Sequence, residues 1–190
     1  TVQIAPAVAK AAMDSGVAKR PIEDMDAYRQ HLQQFVYHSG TLMKPIFSAA
    51  RKVPMENKRI IFAEGEEERV LRAVQIVVDE KLASPILIGR PSVIAHRIER
   101  FGLRLREGVD FTVVNPEHDE RFRDYWETYY KLTARKGVTP QYAKLEMRRR
   151  STLIGAVMIH KGEADGMICG TVSNTAAHLR YIDQVIGGTN

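Results

Sequence analysis

Cysteine is nearly missing from this 190-residue chain. Cys169 stands alone, so neither an internal disulfide framework nor a cysteine-based zinc cage can form, and the usage fits a reducing compartment. Long hydrophobic runs are missing too. Stretches such as Gly155–Ile159 fall far short of the roughly 20 residues that cross a bilayer, and no basic-then-apolar leader opens the sequence. The expectation is a soluble, cytoplasmic protein without a membrane partner. G-x-S-x-G, G-x-x-x-x-G-K-[ST] and G-x-G-x-x-G are all absent, which removes the usual nucleophile elbow, phosphate loop and dinucleotide fingerprint. The six histidines, His31, His38, His96, His118, His160 and His178, show neither H-x-x-x-H nor H-x-H spacing, so no metal site is expected.

What is present is an ordinary globular mixture, 44% hydrophobic and 27% charged, which excludes disordered and collagen-like classes. The length suits one α/β domain with some extra chain. The net charge of +5 is concentrated: residues 131–150 hold seven basic residues against one acid, Glu146, a local +6, so the remainder sums to −1. A local patch implies an anionic partner or a solvated helix face, whereas a nucleic-acid binder is more often basic throughout. Phe122, Trp126, Tyr129 and Tyr130 fall at core-facing helical spacing and make no stacking platform, so no nucleic-acid partner is expected.

Periodicity predicts helices over Ala5–Met13, over Met25–Tyr37 with Asp24 as cap and Ser39-Gly40 as stop, and over Leu42–Lys52. From Lys58 the pattern alternates. Strands are expected at Arg59–Ala63, Pro85–Ile88, Phe111–Val114 and Gly166–Gly170. Helices fall between them: Glu66–Leu82, Pro91–Arg100, Asp119–Arg135 with Phe122, Trp126, Tyr129, Tyr130 and Leu132 inward, a Thr139-capped helix toward Met147, and a Ser151-capped helix over Thr152–Lys161. Thr175–Ile186 closes with Leu179, Ile182 and Ile186 at helical spacing. Strand and helix alternating in this way predict an α/β fold: an open, mostly parallel sheet in three layers, with helices on both faces. Ligands of such sheets bind at the C-terminal edge of the strands.

Two strand-to-helix turns lie at that edge. Gly170-Thr171-Val172-Ser173-Asn174-Thr175 is rich in small and hydroxyl residues, and its free amides beside a helix N-terminus suit an anion, with Arg180 one to two turns on. Ordinary capping by Ser173, Asn174 or Thr175 is the plainer reading of the same residues. In Glu64-Gly65-Glu66-Glu67-Glu68, the last three acids suit the first turn of a helix, while Glu64 ends the strand with no visible partner. Arg148-Arg149-Arg150 suits phosphates, a solvated face or a subunit contact. Cys169, inside an apolar strand, reads as a small core residue.

Ala63-Glu64-Gly65-Glu66-Glu67-Glu68-Arg69-Val70-Leu71, Ile86-Leu87-Ile88-Gly89, Arg135-Lys136-Gly137-Val138-Thr139, and Gly162-Glu163-Ala164-Asp165-Gly166 through Leu179-Arg180 resemble, in order and spacing, the phosphate acetyltransferase family. Ile4-Ala5-Pro6-Ala7-Val8-Ala9-Lys10-Ala11-Ala12-Met13-Asp14-Ser15-Gly16 and Arg20-Pro21-Ile22 resemble the C-terminal end of a bacterial malic enzyme. The pair, joined through Met43-Lys44-Pro45-Ile46-Phe47, resembles the junction in the hybrid NADP-dependent malic enzymes.

The resemblance implies the following organisation: residues 1–40 as terminal helices of a malic enzyme domain, 41–57 as a linker helix and loop, and 58–190 as the first part of a phosphotransacetylase-like domain of the isocitrate dehydrogenase-like fold. It implies a regulatory module that binds acetyl-CoA as effector at Gly170, Thr171, Ser173, Asn174, Thr175 and Arg180, with Arg135, Lys136 and Arg149 as further anion contacts, and that builds a homo-oligomer. NADP and Mg or Mn would belong to the malic enzyme domain, outside these residues. Active family members carry an arginine where this chain has Thr133, within Tyr130-Lys131-Leu132-Thr133-Ala134, and an aspartate where it has Ala177; Arg180 is kept. A fragment of an active transferase and a structural domain with a vestigial pocket are the alternatives. Loss of one substrate-binding cation predicts no acetyl transfer by this chain. An assay of acetyl-CoA formation from acetyl phosphate and CoA should therefore read at background, and turnover above it would refute the expectation.

Overall fold

The computed structural model describes residues 3–36 and 40–187, so Tyr37 and Ser39, expected at the end of the second helix, lie outside the described residues. The chain divides into two compact units, residues 1–52 and 53–190. The first holds α1 (Ile4–Asp14), α2 (Met25–Val36) and α3 (Gly40–Lys52). Asp24 caps α2 as expected: its Oδ1 accepts from the amides of Asp26 and Ala27, each at 2.9 Å. Ile4 and Val8 on α1 and Ile46 on α3 remain exposed.

The second unit is built on β1 (Arg59–Phe62), β2 (Ser84–Ile88), β3 (Thr112–Val114) and β4 (Gly166–Ile168). Among the described residues these form one sheet in the order β3-β2-β1-β4, with every pair parallel. Around it lie α4 (Glu68–Asp79), α5 (Pro91–Arg100), α6 (Phe122–Thr133), α7 (Pro140–Arg149), α8 (Ser151–His160) and α9 (Thr175–Val185). Side chains alternate along each strand. Phe62 and Leu87 pack with Leu71 and Val74 of α4 and Ile94 of α5. Ile61, Ile86, Ile88 and Val114 pack on the other face with α6, α7, α8 and α9. The three-layer parallel architecture is the one that the sequence predicts.

Helix α8 is buried along Thr152–Met158 on all sides, the pattern of an interior helix. Its neighbours on the same face are amphipathic. Tyr125 and Tyr129 of α6 are fully buried, and Phe122, Trp126 and Tyr130 pack partly buried beside them.

Several expected details shift for local physical reasons. Helix α4 starts at Glu68 and not at Glu66, because the Glu66 carboxylate reaches across to Arg90, accepting from its amide and Nε at 2.9 Å each. It ends at Asp79, short of Leu82, where Lys81 turns to a left-handed φ of 53°. Ser151 is the first residue of α8 and not its cap; Arg150 holds that position and offers no capping side chain. Leu132, expected inside, is exposed, and Tyr125 takes its place. On α9 the buried residues are His178, Tyr181 and Val185, while Leu179 is 58% exposed. The inward face is rotated by about one residue from the expected one, since His178 and Tyr181 find hydrogen-bond partners inside that hydrophobicity does not reveal.

Gly65, in the turn after β1, lies tight against the end of β2. Its amide donates to the Ile88 carbonyl at 3.1 Å, and a Cβ would stand 2.8 Å from Leu87 Cβ and 2.9 Å from Ile88 O. Gly65→Ala should therefore cost about 1–3 kcal/mol, the range of overpacking. Thermal unfolding followed by circular dichroism checks it, with Gly155→Ala expected to cost less because its Cβ would meet chiefly the flexible Met167 side chain, with Ile61 Cγ2 at 3.3 Å and no backbone atom among its nearest neighbours.

Candidate anion-binding site

The order β3-β2-β1-β4 means that the chain steps outward from β1 twice and then returns to lay β4 on the opposite side of β1. An open parallel sheet leaves a crevice at its C-terminal edge where the path reverses. A cleft of about 420 Å³ opens there. Ala63 and Glu64 line it from the end of β1, and Ile88 and Gly89 from the end of β2. Ser173 and His178 line it beyond β4, and Arg148 through Thr152 from the junction of α7 and α8.

Glu64 has the partner that the sequence does not show. Its carboxylate accepts from the Gly170 amide at 3.0 Å and, more weakly, from Thr171 Oγ1 at 3.4 Å, tying the turn after β1 to the turn after β4. His178 Nε2 lies 3.9 Å from the same carboxylate. The buried His178 ring is held at both nitrogens: Nε2 is 2.7 Å from the Val172 carbonyl and Nδ1 is 2.7 Å from Thr152 Oγ1. A carbonyl only accepts, so Nε2 carries the proton. Ser173, next in the chain, takes a φ of 78°, a left-handed conformation that a serine holds at a cost. His178 on one side and the Asn174 cap on the other keep it there, since Asn174 Oδ1 accepts from the Ala177 amide at 2.8 Å.

The residues singled out from the sequence separate into groups. Ser173 and Arg149 line the cleft. Gly170, Thr171, Asn174 and Thr175 build the turn that carries Ser173, with the Gly170 amide and Thr171 hydroxyl already engaged by Glu64 and Asn174 engaged as cap. Arg180 lies 4.8 Å over the Tyr181 ring and donates to its hydroxyl at 2.7 Å, and that hydroxyl donates to the buried Glu146 carboxylate. Arg135 and Lys136 sit exposed on a short 3-10 turn and are not among the cleft residues. Thr133 is fully buried, its hydroxyl donating to the Tyr129 carbonyl at 2.7 Å.

Arg148 and Arg150 join Arg149 in the cleft, as does Arg97 from α5. Nothing local in the sequence marks Arg97, because its place depends on which strand α5 follows. Nothing in the sequence distinguishes His178 from the other five histidines. Glu66, read as a helix-stabilising acid, is an ion-pair partner instead: the Arg90 guanidinium, 2.9 Å from it, holds its carboxyl below the usual range. Burial pushes the Cys169 thiol up, which keeps it protonated at neutral pH and unsuited to nucleophilic attack.

Residues 41–190 match the family described as phosphate acetyl/butaryl transferase. The chain belongs to this family. Over 186 residues it is 54% identical to an NADP-dependent malic enzyme of Salmonella typhimurium and 53% identical to an NAD-dependent malic enzyme of Rhizobium meliloti, in each case over 98% of this chain and 24% of the relative. The chain thus spans about a quarter of the length of these curated relatives, and the part matched in the NADP-dependent ones is their C-terminal region. A phosphotransacetylase from Staphylococcus aureus shares the fold with a TM-score of 0.67 at 22% identity, over 77% of this chain and 43% of that one. Within this phosphate acetyl/butaryl transferase-type unit, Glu64 ties the two turns of the cleft to each other, and His178 ties the second of them to the start of α8.

His178→Ala would leave the Thr152 hydroxyl and the Val172 carbonyl without their partner. The expected loss is about 1–3 kcal/mol of stability, together with faster amide hydrogen exchange over residues 170–174 than over β1. Unchanged melting and unchanged protection would remove His178 from this role.

Proposed function

We propose that this chain is the regulatory, acetyl-CoA-sensing and oligomerising part of a hybrid malic enzyme, acting in the cytoplasm. The parent reaction would be oxidative decarboxylation of malate to pyruvate, with NADP and Mg or Mn held by a catalytic domain outside these residues. Residues 1–40 would then be the terminal helices of that domain, 41–57 the linker, and 58–190 the first part of the phosphotransacetylase-like module. The observation that carries the reading is the cleft at the strand-order reversal, lined by guanidinium groups of which Arg149 makes no hydrogen bond or ion pair among the described residues. Acetyl-CoA is large and carries several phosphates, which suits an open cationic cleft. An effector acts only by binding two states of its protein differently; the turn carrying Ser173, held left-handed by its neighbours, is an element with something to release.

Ser173 and Arg149 would face the ligand directly. Arg180 would join them only by leaving the Tyr181 hydroxyl. The outward Leu179 on α9 and Ile186 just past its end favour the oligomerising half of the reading, since exposed apolar side chains on one side invite a partner surface. A working transferase fragment is disfavoured by Thr133, which sits in the core where the family's arginine would need to meet substrate.

Calorimetric titration of acetyl-CoA into the 190-residue chain should give saturable binding, roughly tenfold weaker in Arg149→Ala and less affected in Arg180→Ala. Absence of saturable heat with the unmodified chain would overturn the sensor reading for this part of the protein.

A further inference from the structure

The charges lining the cleft do not balance once each partner is taken into account. Of its carboxylates, Glu66 is paired with Arg90 at 2.9 Å and Glu64 with the Gly170 amide at 3.0 Å. Glu67 has no side-chain partner among the described residues. On the basic side, Arg97 donates to the Glu66 carbonyl and helps hold the Glu66 carboxyl ionised, but that carboxylate is already paired with Arg90, so Arg97 has no carboxylate of its own. Arg148 lies 4.8 Å over the Phe122 ring, and the Arg149 side chain has no polar partner among the described residues. Arg150 approaches Glu146 at 3.5 Å, a carboxylate already taking the Tyr181 hydroxyl. Since the amide on Glu64 is neutral, three guanidinium charges (Arg97, Arg148 and Arg149) therefore stand against two carboxylates, Glu64 and Glu67, that have no arginine or lysine partner among the described residues.

A second feature points the same way. Helix α8 begins at Ser151 without a side-chain cap, and Ser151 and Thr152, its first two residues, line the cleft beside the arginines. The first amides of a helix need an external acceptor, and the helix dipole makes that end favourable for an anion. Arginines in the last turn of α7 also complement the opposite dipole end. That role needs only proximity to the α7 carbonyls, however, and does not account for Arg97 arriving from a different helix on the other face of the sheet. Planar, multidentate donors spaced along a wall match adjacent phosphates better than a single small anion.

We propose that Arg148 and Arg149, with Arg97 and the uncapped first turn of α8, form a polyphosphate-binding wall that takes a pyrophosphate-type group. Resting on the effector reading above, the wall holds the phosphate end of acetyl-CoA. Recognition then rests chiefly on phosphates, so free CoA binds nearly as well as its acetyl ester.

The test is calorimetry with inorganic pyrophosphate on the 190-residue chain at low ionic strength. Saturable binding is expected, roughly tenfold weaker in Arg149→Ala and lost in Arg148→Ala combined with Arg149→Ala, with Arg135→Ala matching the unmodified chain. Because the Arg149 side chain makes no hydrogen bond or ion pair among the described residues, its variant should melt as the unmodified chain does, and it keeps the test valid should the double variant fold poorly. Absence of saturable binding, or equal affinity in Arg149→Ala and the unmodified chain, overturns the wall. Competition by acetyl-CoA, CoA and ADP then separates the ligand sources. Arginine-dependent pyrophosphate binding that acetyl-CoA does not displace keeps the wall and removes the effector reading.

Discussion

A parallel sheet that grows outward from one strand and then places its last strand on that strand's other side has to part its connections at the reversal. In this protein the parting falls between β1 and β4, and most of what gives the molecule a candidate function gathers there. The two turns at the gap would be independent loops were they not joined. Glu64 joins them, because its carboxylate is the acceptor for the amide that opens the second turn. His178 adds a second tie, between that turn and the start of α8, through two hydrogen bonds of 2.7 Å. The crevice is therefore a framed space, with a strand end on one side and the most deeply buried helix on the other.

The layout of the fold was legible from the sequence because its signals are local. Alternating short apolar strands with amphipathic helices, and Asp24 and Thr139 at helix starts, each act within a few residues. Thr139, for example, accepts from the Tyr142 amide at 3.2 Å, the geometry its position predicts. The α9 face was misread for the opposite reason. Its inward residues include a histidine and a tyrosine whose place in the core depends on Thr152 and Glu146, each more than twenty-five residues away in the chain. No periodicity in a helix records what lies across from it.

The candidate site divides along the same line. Ser173 and Arg149 were identified from the type of turn or charge run that contains them, and both line the cleft. Arg180 is marked both by its place one to two helical turns beyond the Ser173 turn and by the family pattern, yet it rests on Tyr181. Arg97 was invisible because it enters from α5, whose relation to the α7–α8 junction is set by the strand order alone. The similarity to malic enzymes has a comparable grain: this region is about as close to an NAD-dependent as to an NADP-dependent relative, so it does not track the coenzyme.

Helix α8 gives the cleft one further property. Arg148, Arg149 and Arg150 sit immediately ahead of a helix wedged on every side by Ile61, Met147 and the aromatic face of α6, so the backbone under these charges is fixed by core packing. A loop that presents arginines must be ordered before it can grip, and the lost freedom is subtracted from the affinity. Here only the side chains remain to be ordered. Exchanging the arginines should change the charge of this edge while leaving the scaffold beneath it intact.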